Sequence, residues 1–387
     1  MKPPIAITSL ASFSALGTTP EEIWEQYLRP TTLIIEKKLG ASAALVAPIS
    51  QELEAKVAKL RNSDSKYKSL DNSVLYAILV SRQAVKNAGW NDSDFGINLG
   101  SSRGATTLFE KHHETFLATG KTPTLASPST TLGNISTWVA HDLKSQGPEI
   151  SHSITCSTAL HAVLNGVAWL RAGMADKFLV GGSEAPLTAF TIAQMNALKI
   201  YAKTPSDYPC RAFDLTKTKN SMVLGEGAAV ACLELGEKEN ALAYIEGIGY
   251  ATDILQHSIS ITDEAHCFQK SMRMALADTN YDEVDVVVMH APGTLKGDTS
   301  EYKALQILFG ENLPLLTTNK WKIGHTFGAS GMLSIEMGIM MMQHNTFIGV
   351  PFSTNATTVV NPDKVIRKVL INAVGFGGNA VSVLLSL

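Results

Sequence analysis

The segment EISHSITCSTALHAVLNGVAWLRAG, residues 149–173, passes from a β-branched run through one cysteine into a helix. Leu160, Val163, Leu164 and Val167 recur at helical spacing. A strand that hands over to a helix is the unit of an α/β fold, and the chain repeats it in both directions. Toward the N-terminus lie IAITSL (5–10), the helices PEEIWEQYL (20–28) and SVLYAILVSRQAVKNAG (73–89), and the strand FGINLGSS (95–102). Toward the C-terminus follow KFLVGGSE (177–184) and GAAVACLEL (227–235).

Around Gly236 the pattern restarts. AYIEGIGY (243–250) opens it, then the helix EAHCFQKSMRMALADT (264–279), the strand VDVVVMHAPGT (284–294) and the helix SEYKALQILFG (300–310). The helix GMLSIEMGIMMMQHN (331–345) and the strands KVLINAVG (368–375) and AVSVLLSL (380–387) close it. In the first series a strand leads into Cys156 and a long helix; in the second, a short run leads into His325 and a helix of small residues. GAAVACLEL and GNAVSVLLSL (378–387) each close a series with a glycine and an apolar strand. Such self-similarity points to a duplication, with halves at 1–238 and 239–387, although any α/β chain yields some matches of this kind.

Composition narrows the function. The chain has 387 residues, 45% of them hydrophobic and 17% charged, which suits a large core. A net charge of −3 lacks the basic excess that nucleic-acid binding needs. The four cysteines, Cys156, Cys210, Cys232 and Cys267, are too dispersed for a disulfide framework or a Cys-x-x-Cys metal site, so a reducing, cytoplasmic compartment is expected. The N-terminus lacks the long apolar stretch of a signal peptide. Met332–Met342, interrupted by Ser334, Glu336 and Gly338, is far short of the roughly 20 residues of a membrane span and reads as a buried core helix.

Three side chains stand where chemistry is expected. Cys156, read at the first turn of its helix, faces free N–H groups and the positive end of the helix dipole, which favours a thiolate; the alternative is a small buried hydrophobe. His290 ends the apolar run VDVVVMH, where parallel strands deliver residues to a crevice. His325 lies among Gly324, Gly328, Ala329 and Gly331, with Lys320 five residues earlier. Gly375, Phe376, Gly377 and Gly378 form a turn between two strands that can aim an N–H at an oxyanion, or serve as an ordinary hairpin.

Together these segments resemble the β-ketoacyl synthases that elongate fatty acids and polyketides. TCSTALHA resembles their nucleophile segment, and HAPGTLKGDTSE their first histidine motif, with Asp298 and Glu301 in register. KWKIGHTFGASG resembles the second, with Lys320 and His325 in register, and VGFGGN the C-terminal glycine turn. GGSEA, RAFD and GEGAA match minor motifs. The resemblance implies a thiolase-like fold of α-β-α-β-α layers and a decarboxylative Claisen condensation. Cys156 would carry the acyl group, His290 and His325 would bind the thioester oxygen of a malonyl group, and the N–H groups of Cys156 and Phe376 would hold the second oxyanion. It also implies acyl carrier protein as partner, a homodimer or a heterodimer with a ketosynthase-like subunit, and no metal or organic cofactor. Two departures stand out. The carboxylate usual nine residues after the second histidine is Ser334, with Glu336 nearby, and Arg103 occupies a position normally apolar near the acyl pocket. Competing readings are a catalytically silent ketosynthase-like subunit and a thiolase acting on CoA esters.

Overall fold

Apolar runs rich in Val, Ile and Ala become strands, and the segments with a 3.6-residue period become the helices that cover them. The computed structural model describes residues 3–387 apart from 41, 133, 255–261, 278 and 357–364. Its strands are β1 (Ile5–Ser14), β2 (Ile35–Leu39), β3 (Ser42–Ala47), β4 (Gly96–Gly100), β5 (Glu149–His152), β6 (Lys177–Glu184), β7 (Leu224–Gly225) and β8 (Gly227–Leu235). A second run supplies β9 (Ala243–Thr252), β10 (Val286–Val288), β11 (Leu315–Thr317), β12 (Lys368–Gly375) and β13 (Asn379–Ser386).

Ten strands form one ladder in the order β11-β10-β12-β13-β9-β1-β8-β6-β4-β5. Counted from either outer edge, each half takes its own strands in the order third, second, fourth, fifth, first. In both halves the outer two pairings are parallel and the inner two antiparallel. Within the ladder the halves join where Ala6 and Ile7 pair with Tyr244 and Ala243. β2, β3 and β7 make a separate small sheet.

The helices Thr158–Arg171 and Ser330–Gln343 pack on each other between the two halves, while Asn72–Asn87 and His266–Ala275 cover the outer faces. Five layers result. Ser330 through Met342 are all buried, as the run of methionines and small residues leads one to expect. Among the described residues, no helix is long and apolar enough to cross a membrane.

One helix begins earlier than its sequence pattern suggests. Thr294 caps Leu295–Phe309 by accepting from the Gly297 N–H, so a stretch that reads as a turn is already helical. Asp298 and Glu301 therefore lie three residues apart on one helix face, both turned back toward the strand end that carries His290.

Candidate active site

Cys156 sits in an elbow rather than in the helix. It is two residues ahead of the first helical position, Thr158, and follows Thr155, whose φ is 47°. Thr158 Oγ1 locks the elbow by accepting from Ile154 N at 2.9 Å and donating to Thr155 O at 2.6 Å. The thiolate expected from the helix dipole is not what the environment favours. Burial pushes the Cys156 thiol up to about 12, and the nearby Glu184 carboxyl adds to this; Lys320 and Arg103 pull the other way. A fractional helix charge cannot offset complete loss of hydration.

His290 and His325 face each other edge to face, ring centroids 5.1 Å apart at 87°. Both are buried. Burial and the positive charge of Lys320 drive His325 down to about 3; burial, His325 and Lys320 hold His290 well below its ordinary value. Both rings are thus neutral at physiological pH, and the Nδ1 of each lacks a hydrogen-bond partner. Backbone ties fix them. Glu301 accepts from His290 N at 2.9 Å, Ala291 N at 2.8 Å and Asn372 Nδ2 at 3.2 Å. His325 donates its N–H to Val223 O and accepts from Gly225 N, so the GEG stretch anchors the histidine loop to the small sheet. Ala291 (φ 22°) and Phe327 (φ 41°) flank the histidines as Thr155 flanks the cysteine. Strained backbone thus stands beside each of the three groups.

Cys156, His290, His325, Phe327, Gly375 and Phe376 share the lining of one cavity of about 260 Å³. Gly375 must be glycine: a Cβ there would stand 1.8 Å from Thr155 Oγ1, so the turn presses directly on the Cys156 elbow. Gly377 holds φ at 97°, and Phe376 is 39% exposed in the wall of the cavity. Asp298 does not enter the cavity. It accepts from Gly293 N, Phe213 N and Lys217 Nζ, tying the loop after His290 to RAFD. Lys320 is buried, donates to Ser334 Oγ at 3.1 Å, and is driven down to about 8 by burial against the pull of Glu301 and other acidic groups.

Two models of one family match the chain: the β-ketoacyl synthase N-terminal domain over residues 2–239 and the C-terminal domain over residues 242–351. The chain belongs to the β-ketoacyl synthase family. Nodulation protein E of Rhizobium meliloti is 28% identical over 409 residues, 97% of this chain and 98% of that protein. The 3-oxoacyl-[acyl-carrier-protein] synthase 2 of Staphylococcus aureus (strain N315) is 26% identical, covering 98% and 97%. Among solved structures, a β-ketoacyl synthase from Burkholderia phymatum superposes with a TM-score of 0.81 at 23% identity, over 100% of this chain and 99% of that one. A type II polyketide ketosynthase in complex with its acyl carrier protein, AntDE:AntF, gives 0.84 at 16% identity, over 100% of both chains. The thiolase-like fold and a condensing, acyl-transferring activity follow.

Within this ketosynthase the two departures have definite geometries. Ser334 itself meets Lys320, and Glu336 does not replace the missing carboxylate: two residues on along the helix, it lines a different cavity. Arg103 finds an amide rather than a carboxylate. Its Nη2 donates to Gln194 Oε1, its guanidinium lies 6.0 Å over the Phe327 ring, and it is outside the cavity lining. The carboxylate beside it, Glu184, instead accepts from Ser101 Oγ and the N–H groups of Ser102 and Arg103. Asn372, Lys217, Phe213 and Glu184 are the supports that residue-by-residue reading overlooks. Only RAFD and GGSEA hinted at two of them.

Proposed function

We propose that this ketosynthase loads an acyl group onto Cys156 and extends it with a malonyl unit held by His290 and His325. The observation that carries this reading is the pair of neutral imidazoles in the wall of the cavity that also receives Cys156. The Cys156 sulfur attacks the acyl thioester carbonyl; the carrier thiol departs with the proton that Cys156 gives up, and an acyl-enzyme remains. The malonyl thioester then enters. Its carboxyl bond breaks, carbon dioxide leaves, and the electron pair passes into an enolate whose oxygen accepts from both imidazoles. Because each Nδ1 is unpartnered in the protein, Nε2–H is the donor assigned here. The enolate carbon attacks the acyl carbonyl, the carbon-sulfur bond breaks, and the departing Cys156 thiolate takes a proton from solvent to restore the thiol. Cys156 N–H and Phe376 N–H are the donors for the oxyanion of that step, and Phe376 gates the second substrate.

The donors of both substrates are acyl carrier proteins in this reading, the working unit is a dimer with an identical or ketosynthase-like subunit, and the two halves, 1–238 and 239–387, act as one catalytic unit. All four cysteines are free and buried, which supports a cytoplasmic setting. Arg103, bonded to Gln194 one layer behind Phe327, disfavours long saturated acyl chains. The test is to supply acyl and malonyl carrier proteins, detect the acyl group on Cys156 by mass spectrometry, and follow carbon dioxide and the extended product. One carbon dioxide released per carbon-carbon bond formed is expected. A loaded Cys156 that never extends, or extension without decarboxylation, would overturn the reading.

A further inference from the structure

Glu336 is the one charged residue of the buried helix Ser330–Gln343, and the condensation site does not use it. Only 3% of it is exposed, its Oε2 has no hydrogen-bond partner, and no cation compensates it among the described residues. Among the described residues Ser12 is the polar side chain within reach of it, while Asn319 serves Tyr27. A native core rarely leaves a buried carboxyl oxygen such as Oε2 unpaired without something to fill the space beside it.

The carboxyl lines a second cavity, of about 400 Å³. Leu10, Ile23 and Leu79 give it apolar walls, Ser12 stands beside the acid, and the exposed Gln83 and Asn87 stand at its mouth. Lys56, also in the lining, is held by Glu52 at 3.1 Å rather than by Glu336. The near edge is rigid: Glu22 accepts from the N–H groups of both Thr18 and Thr19, closing a capping box.

We propose that this cavity binds a small organic ammonium ion, its charged head on Glu336 with Ser12 and its carbon body against Leu10, Ile23 and Leu79. With no cation beside it, burial raises the Glu336 carboxyl to about 7, and positive charge brought into the cavity would favour its ionised form. A bare metal cation fits poorly, because hard cations take about six or more converging oxygens, and here Leu10, Ile23 and Leu79 line the cavity while the Gln83 and Asn87 amides stand at its mouth, apart from Glu336 and Ser12. An alkyl or aryl ammonium satisfies both parts of the wall. The pocket is separate from the one at Cys156, so its occupancy is readable without turnover.

The probe is n-butylammonium, titrated calorimetrically into the full chain at fixed ionic strength, with n-butanol and potassium chloride as parallel arms. Saturable binding of the ammonium alone is expected, with a raised melting temperature. Glu336→Gln should weaken it by about tenfold or more, the loss expected when a charged partner is removed. Gln83→Trp, an exposed change at the mouth, should block it while leaving Glu336 and the core untouched. Condensation activity of both variants reports the intact fold. Equal binding of butanol would reduce the cavity to an apolar slot and overturn the proposal. So would saturable binding of potassium in place of the ammonium, full affinity in Glu336→Gln, or absence of ammonium binding.

Discussion

The two halves of the ladder put different chemistry at equivalent points. In the first, β5 leads to Cys156 and the helix Thr158–Arg171; in the second, β11 leads to His325 and the helix Ser330–Gln343. The loop after β4 carries Ser101 to Arg103, and the loop after β10 carries His290. Each of these loops is pinned by a buried carboxylate that accepts consecutive backbone N–H groups: Glu184 for Ser102 and Arg103, Glu301 for His290 and Ala291. Gly328 brings the halves into register, since a Cβ there would lie 2.7 Å from Ser102 N and 3.1 Å from Glu184 Oε1. On the proposed function, one frame used twice thus supplies a nucleophile that must exchange bonds and two donors that must only hold still.

If that division of labour holds, the first-half variant Cys156→Ala abolishes loading and condensation, with the fold kept because Ala fits the same small site. His290→Ala and His325→Ala should each lose on the order of 10²–10³ in malonyl decarboxylation, as loss of one oxyanion-type donor does, while loading of Cys156 falls less. Rapid-quench measurement of the two half-reactions decides. Decarboxylation unchanged in both histidine variants would dissolve the comparison.

pH separates the halves next. A thiol pushed up to about 12 is neutral in the free enzyme, so iodoacetamide alkylation of Cys156 should climb about tenfold per pH unit from 7 to 9 with no plateau. A helix-activated thiolate would level off below pH 8. On the other side, His325 at about 3 and His290 well below its ordinary value stay neutral throughout, so the histidines add no inflection to decarboxylation between pH 5 and 8. Burial raises both Glu301 and Glu184 to about 7, and of the two Glu301 is the one that holds the His290 loop, so an inflection in decarboxylation is assigned to it. Its ionised form is the better acceptor for the His290 loop, so activity should rise with pH through that point, and Glu301→Gln should remove the step.

The two carboxylate clamps give a smaller, more pointed test. Glu301→Gln should slow decarboxylation about tenfold with loading nearly intact, since an amide keeps one acceptor but weakens the charge-assisted bonds. Glu184→Gln should do the reverse. Stopped-flow loading and carbon dioxide release, measured on both variants, would contradict the parallel if both changes struck the same half-reaction.

The fold and the residues that meet at one cavity were legible because they are local: a strand, a turn and a helix in sequence give Cys156, the end of an apolar run gives His290, and glycine-rich turns give His325 and Phe376. Asp298 and Glu301 were in register by resemblance, yet their shared helix face needed the Thr294 cap to be seen. What could not be read depends on contacts distant in sequence. The thiol of Cys156 is raised by burial that local sequence does not report, Arg103 meets Gln194 from another helix, and Lys217 reaches Asp298 across 81 positions. Whether Glu336 stands in for the missing carboxylate was open from the sequence, and the helix turns it toward a different cavity.

The smallest expected effect concerns Ser334, where the second half departs from its family. Lys320 is 1% exposed, and its one direct side-chain bond is to Ser334 Oγ. It does not line the cavity, so it acts on the histidines and Cys156 only through its field. Removing the hydroxyl takes a neutral acceptor from a buried ammonium, which costs about 1–3 kcal/mol by the usual worth of a hydrogen bond to a charged group. The field itself changes little. Ser334→Ala should therefore lower stability by that amount in urea unfolding while decarboxylation stays within about threefold of the parent, well under the tenfold that about 1.4 kcal/mol of barrier would represent. A tenfold loss of rate with stability unchanged would mean that Ser334 holds Lys320 for the chemistry, and that the second half has a positioning residue where this structure shows a packing one.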